Sequence, residues 1–302
     1  MKNIAFKHIY MMLILPLIST ILFSQVPDFS KVPNVHEGDS LNIAYLLNNG
    51  TKISDGKVIC WFPKDSLSEK KMAKITSMFN VGIGGAEKFI HAPQPWQVHQ
   101  PNEPYTFYFR FDRFVSHASG AGFVSIPFWR IKEGKAPWLH EVLHEMLYSK
   151  SESLLSKNVS EKELDEKIPL WLYEGLPDYI SLKVSSAEHL RWFDVFSNSY
   201  EPDMDSLFIR EIAAQKGRYI LSFIGAKGIM PELFSDERIH YAPAFYHGSS
   251  SFIKYLAEHY DIKILVKGIS SFGKEQETIE KLTGKSLVTL KKEWLNKLNI
   301  VD

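Results

Sequence analysis

His140, Glu141 and His144 put three side chains capable of metal chemistry within little more than one helical turn of one another. They lie in Trp138-Leu139-His140-Glu141-Val142-Leu143-His144-Glu145-Met146-Leu147, a stretch free of Pro and Gly that predicts about three turns of helix. An α-helix advances about 100° per residue, so the two imidazoles fall about 40° apart, one turn above the other. There they can take adjacent corners of a tetrahedral zinc site, with Glu141 close enough to reach a metal-bound water without being a ligand. That is equipment for activating water.

Spacing alone leaves a plainer alternative open. With 11 His among 302 residues, chance supplies H-E-x-x-H in roughly 3% of chains of this composition. The motif could then be the solvated face of an ordinary amphipathic helix. Leu139, Val142, Leu143, Met146 and Leu147 form an apolar stripe opposite, so one side of the helix is expected in the core. The polar side faces either solvent or a cleft.

A second stretch bears on that choice: Leu170-Trp-Leu-Tyr-Glu174-Gly-Leu-Pro-Asp178-Tyr179. A W-L-x-E-G run downstream of H-E-x-x-H resembles the gluzincin zinc metallopeptidases, the group that includes thermolysin and the aminopeptidase N type. The resemblance implies an α+β, zincin-like catalytic domain, with a small mixed sheet before the H-E-x-x-H helix and a mostly helical C-terminal lobe. It also implies one Zn²⁺ held by His140, His144 and Glu174, with Glu141 as general base and a peptide or protein as substrate. Asp178, one turn after Glu174, matches the carboxylate that holds a ligand histidine by its other ring nitrogen. Gly175 would let its helix pack closely under the metal.

Further along, Tyr241-Ala-Pro-Ala-Phe-Tyr246-His247-Gly248 opens a stretch similar to the aminopeptidase N helix that begins with a catalytic tyrosine. On that match Tyr246 steadies the oxyanion, with His247 as understudy, although the family glycine falls three residues after the tyrosine and Gly248 only two. Upstream, Gly120-Ala121-Gly122-Phe123-Val124 stands where the aminopeptidases carry G-A-M-E-N. No carboxylate is present to grip an α-amino group, so aminopeptidase specificity does not follow. In gluzincins the strand before the motif is a sheet edge that pairs with substrate, which makes Gly120, Ala121 and Gly122 the candidate substrate contacts. Gly284 to Leu295, ending in Trp294-Leu295, resembles the closing segment of these peptidase families. Two other classes stay open: a catalytically silent peptidase-like binding protein, and a zinc hydrolase of some other amide or ester.

Composition narrows the partners. Lys plus Arg and Asp plus Glu both total 35, so the formal charge is zero, and no basic block points to nucleic acid or an anionic membrane surface. The single cysteine, Cys60, excludes an internal disulfide and reads as a buried thiol in an apolar run. Residues 1–24 read as a signal peptide: Lys2 and Lys7, then an apolar stretch from Ile9 to Phe23, then Ser24. About 15 apolar residues is short for a span. The expectation is an exported protein without stable membrane insertion, periplasmic or extracellular, with an uncleaved anchor as the lesser alternative.

The elements that must position these groups follow in order. Residues 25–56 read as an arm or loose strands, 57–186 as the sheet and zinc-helix lobe, and 187–302 as the helical lobe. Lys57–Phe62 predicts a strand, and Ser66 or Ser68 caps a helix that Gly82, Gly84 and Gly85 interrupt or join to a second one. The proline-rich run from His91 to Pro104 is a loop, with His91 and His99 as surface histidines. Tyr105–Phe111 and Gly120–Pro127 read as strands, and polar residues 150–167 as an exposed insertion with a short helix at Ser160 to Glu166. Helical patches at Ser206–Lys216 and Tyr219–Ile224, and three short helices between Asp261 and Leu298, complete the chain.

Overall fold

The computed structural model describes residues 37–90, 104–111, 115–118, 123–148, 169–214, 217–228, 239–269, 271 and 273–301. The expected leader, His91, His99, the Gly120-Ala121-Gly122 run and the insertion at 150–167 lie outside the described residues.

The fold is α+β with a small mixed sheet. Helix α1 (Glu37–Asn49) leads into strand β1 (Thr51–Asp55), then β2 (Val58–Phe62), helix α2 (Glu69–Ile90), β3 (Tyr105–Arg110), β4 (His117–Ala118) and β5 (Phe123–Pro127). The spatial order is β1-β2-β3-β5-β4. The β2/β3 and β3/β5 pairs are parallel, whereas β1 and β4 run antiparallel at the two ends of the sheet. Alternation in β2 sends Val58, Cys60 and Phe62 wholly into the core. The interior strand β5 is buried at every position, as a strand flanked on both sides and covered must be.

The segment read as a loose arm contributes to this sheet. Residues 37–49 are helical, and Thr51 to Asp55 pair in register with Phe62 to Val58. A hairpin partner supplies the main-chain hydrogen bonds that Gly- and Asn-rich composition hides from a propensity reading.

Helix α2 is continuous through its three glycines. Met72, Thr76, Phe79, Ile83, Ala86 and Ile90 make a buried stripe at helical spacing. Gly82 and Gly85 act as contacts rather than breaks. A Cβ on Gly82 would meet the Trp138 ring at 2.4 Å, and one on Gly85 would meet Val184 at 2.8 Å. Phe79 stacks on Trp138 with centroids 4.0 Å apart, a contact worth about 0.5–1.5 kcal/mol beyond its area.

After β5 come α3 (Phe128–Glu133), closed by Gly134 in the left-handed region, then the motif helix α4 (Trp138–Tyr148) and α5 (Leu170–Ala187). The remainder is helical: α6 (Met204–Ala213), α7 (Gly217–Leu221), α8 (Ala242–His259), α9 (Ile262–Ile269), α10 (Glu275–Thr283) and α11 (Leu287–Lys297). Helix α8 is the spine of this half. A Cβ on Gly175 would lie 2.7 Å from the backbone of Ser249, so the close approach this glycine permits is between α5 and α8. It serves the crossing of α5 with α8, the helix whose Ser250 holds Asp178. Trp294 of α11 is fully buried, stacks on Phe208, and donates its indole N–H to Ser251. Among the described residues, no helix is long and apolar enough to cross a membrane.

Candidate metal centre

Helix α4 is buried on both faces. Leu139, Val142, Leu143, Met146 and Leu147 pack inward as their spacing predicts, and His140, Glu141 and Glu145 on the other side are also buried. The polar face therefore lines a cleft, of about 380 Å³. His140, Glu141 and His144 bring ligand atoms within 4.8 Å of one another.

Glu174 of α5 faces the two imidazoles. Its Oε2 lies 3.3 Å from His140 Nε2 and 3.6 Å from His144 Nε2, and the two nitrogens are 2.9 Å apart. Zinc bonds of about 2.0–2.1 Å at tetrahedral angles place ligand atoms roughly 3.4 Å apart. The three observed separations straddle that value, so the donor set fits a zinc ion in size as well as in chemistry. Behind His140, Nδ1 meets Asp178 Oδ1 at 2.6 Å, which leaves Nε2 directed toward Glu174 and His144. Ser250 of α8 donates to the other Asp178 oxygen at 3.0 Å.

The electrostatics favour positive charge at this spot. Burial opposes a charged His140, yet Asp178, Glu174 and Glu141 outweigh it and push the imidazole well above its usual value. Burial alone would raise the Glu174 carboxyl, but His144 and His140 hold it far below the ordinary carboxylate range. Burial pushes Glu141 up, with the two imidazoles opposing. The Tyr246 phenol, buried and faced by Glu174, Asp178 and Glu141, is raised well above its usual value and stays a protonated donor.

Tyr246 lies on the cleft wall opposite Ser116, His117 and Ala118. His247 does not share that wall. It is 1% exposed, with Nε2 on Asp194 at 2.8 Å and Nδ1 on Glu211 at 2.9 Å, so its ring has no free nitrogen to offer a substrate. The understudy role assigned to it is withdrawn. Gly248, its neighbour, exists for packing: a Cβ there would meet Phe208 at 2.6 Å.

The edge of the sheet also differs from expectation. The strand just before α4 is β5, which is paired on both sides, and the strand at the cleft is the two-residue β4. Ser116, His117 and Ala118 therefore form the cleft wall, while Gly120, Ala121 and Gly122 lie outside the described residues. Sequence reasoning missed this wall because two residues carry no periodicity. It also missed what holds it. Asp39 of α1 accepts from Arg110 at 3.0 Å and Ser125 at 2.8 Å, and its second oxygen pairs with His117 Nε2. Burial works against charge on His117, but the Asp39 hydrogen bond and carboxylate outweigh it and raise the imidazole. Glu145, 2% exposed, is a further cleft carboxylate that the motif did not single out.

Cys60 behaves as its sequence context predicts. It is buried in β2, and burial pushes the thiol up to about 12. No protein-family model matches this chain. No curated protein matches it either.

Proposed function

We propose that this chain is an exported, zinc-dependent metallopeptidase of the gluzincin type, hydrolysing peptide bonds of peptide or protein substrates. The observation that carries the reading is the meeting of His140, His144 and Glu174, with Glu141 beside them and Asp178 behind. Those five residues come from two helices and supply a ligand triad, a base and an orienting carboxylate. Export rests on the leader-like first 24 residues.

His140, His144 and Glu174 would hold the metal. A zinc ion in that position supplies Lewis-acid chemistry, lowering the pKa of a water to about 7 and polarising a carbonyl. Glu141 takes a proton from the attacking water and delivers it to the amine nitrogen as the C–N bond breaks. Burial supports that role by raising its pKa from the ordinary carboxylate value. Tyr246, kept protonated, donates a hydrogen bond to the oxygen that gains charge, a contribution worth about 3–4 kcal/mol per well-placed donor. Asp178 fixes the tautomer and angle of His140, and Ser250 fixes Asp178.

The test is digestion of a diverse peptide mixture, read by mass spectrometry, with a chelated sample and Glu141→Gln alongside. Cleavage that chelation stops, and that Glu141→Gln lowers by about 10³-fold while keeping zinc, supports the reading. Equal activity in that variant would overturn the mechanism. Absence of cleavage by zinc-loaded protein would overturn the activity, and the cut positions would separate terminal trimming from internal cleavage.

A further inference from the structure

Residues 194–199 form a closed loop beside the cleft. Its ends are joined by backbone hydrogen bonds, Asp194 N to Ser199 O at 2.8 Å and Ser199 N to Asp194 O at 3.3 Å. The Asp194 side chain fills the loop, accepting from the backbone N–H groups of Phe196 and Ser197, each at 3.0 Å. This leaves little freedom in the turn, since three of its peptide units are tied to one residue. Asp194 is itself anchored from outside by His247 of α8, whose other nitrogen is anchored by Glu211 of α6.

The loop sets one ring against a residue of the cleft. Phe196 lies against the Tyr246 ring with centroids 4.4 Å apart and planes 31° apart, and meets His247 edge-on at 6.4 Å. Tyr246 and His247 are consecutive, so α8 holds the anchor of the loop and the ring the loop covers. A ring covered on one face by another ring has fewer rotamers left. Phe196 is 37% exposed and covers one face of the Tyr246 ring.

We propose that the Asp194–Ser199 loop is a positioning device for Tyr246, acting through the Phe196 ring and latched by His247. The inference rests on the peptidase reading for its effect on turnover, and on geometry alone for the positioning. Phe196, Asp194 and His247 are positioning residues. None touches substrate; they set where the Tyr246 hydroxyl points, and a misplacement of about 1 Å in such a donor costs up to about 10²-fold. No sequence spacing announces the device, because Phe196 and Tyr246 are 50 residues apart in the chain.

The experiment uses the full-length, zinc-loaded chain with Phe196→Ala, Tyr246→Phe and the double variant. Phe196→Ala removes a partly exposed ring and leaves the buried cluster intact. It should lower kcat by about tenfold with KM nearly unchanged, add no further loss in the Tyr246→Phe background, and be rescued by Phe196→Trp. An unchanged kcat, or losses that multiply, would overturn the proposal. A second readout does not depend on activity: 3-fluorotyrosine labelling and ¹⁹F NMR, with the Tyr246 line assigned by its disappearance in Tyr246→Phe. Phe196→Ala should broaden that line, as a ring released from one orientation does, and leave the widths of lines remote from the loop in place; an unchanged width overturns the positioning role even if the protein cleaves no peptide. Absence of chelator-sensitive cleavage in the unmodified protein, with a broadened line in Phe196→Ala, would instead sink only the peptidase reading.

Discussion

Two buried clusters in this protein use the same residue types to opposite ends. In one, His140, His144, Glu174 and Asp178 converge, and two imidazole nitrogens face each other at 2.9 Å with a carboxylate oxygen 3.3 Å and 3.6 Å away. In the other, His247 has one carboxylate on each ring nitrogen, at 2.8 Å and 2.9 Å, and the side chain is sealed from solvent. In the second cluster the imidazole is fully partnered, although Glu211 Oε2 is buried without a hydrogen-bond partner. Every imidazole nitrogen has its own acceptor, so it can hold elements together but cannot bind anything. The first brings two imidazole nitrogens onto one shared carboxylate oxygen beside an open cleft, an arrangement that could hold a cation. Counting donors against acceptors separates a cluster that could take up a metal ion from one closed on itself more sharply than residue type does.

That contrast can be broken by experiment. The largest effect is expected from His247→Ala, which leaves Asp194 and Glu211 without their shared partner. It should cost about 3–5 kcal/mol in urea unfolding while zinc stoichiometry stays at one. A cost below about 1 kcal/mol would show that this cluster is not what holds the loop and α6 to α8.

The next effect is on pH dependence. Burial disfavours charge on His247, but Asp194 and Glu211 outweigh it and raise its pKa from 6.5 to about 9. The folded state therefore binds an extra proton between those values, and stability falls as pH rises through the window. The stabilisation is fully present below about pH 6.5 and lost above about pH 9, an order-of-magnitude change of roughly 3 kcal/mol. Urea midpoints measured across that range should decline, and His247→Gln should flatten the slope. An unchanged slope in that variant would assign the pH dependence elsewhere.

The smallest effect sharpens the metal side. Asp178→Asn should weaken zinc retention by about 10–100-fold in competition with a chelator, with little change in unfolding. Unchanged affinity would remove Asp178 from the support of His140.

Much of the site was legible because its ligands come from two helices with strong local signals. The motif in α4 and the Glu174-to-Asp178 spacing in α5 each fit within about one turn, where sequence distance and spatial distance coincide. The strands at 58–62 and 105–110 were legible for the same reason, the first as a short continuous apolar run and the second as an alternating aromatic one. What was hidden is what depends on distant partners. Asp39 reaches Arg110, His117 and Ser125 across 71, 78 and 86 residues, and nothing local marks any of them as a pair. The glycines of α2 misled because Gly signals a break when read alone and a close helix contact when a neighbour such as Trp138 is present. Gly175 shows the same ambiguity from the other side. Its need for space was foreseen, but the backbone that fills the space belongs to α8.

The lone thiol gives the molecule a built-in clock. Cys60 sits on a central strand with no accessible surface, and its sulfur ionises only near pH 12, so an alkylating reagent meets no thiolate while β2 is paired. Labelling at that sulfur can proceed only as fast as the strand leaves the sheet. Its rate would time the opening of the whole β half without any engineered probe. On the proposed function, the zinc-holding residues sit on helices packed against that half, so added metal should slow the clock, and the size of the delay would report how tightly a bound ion ties the two halves together.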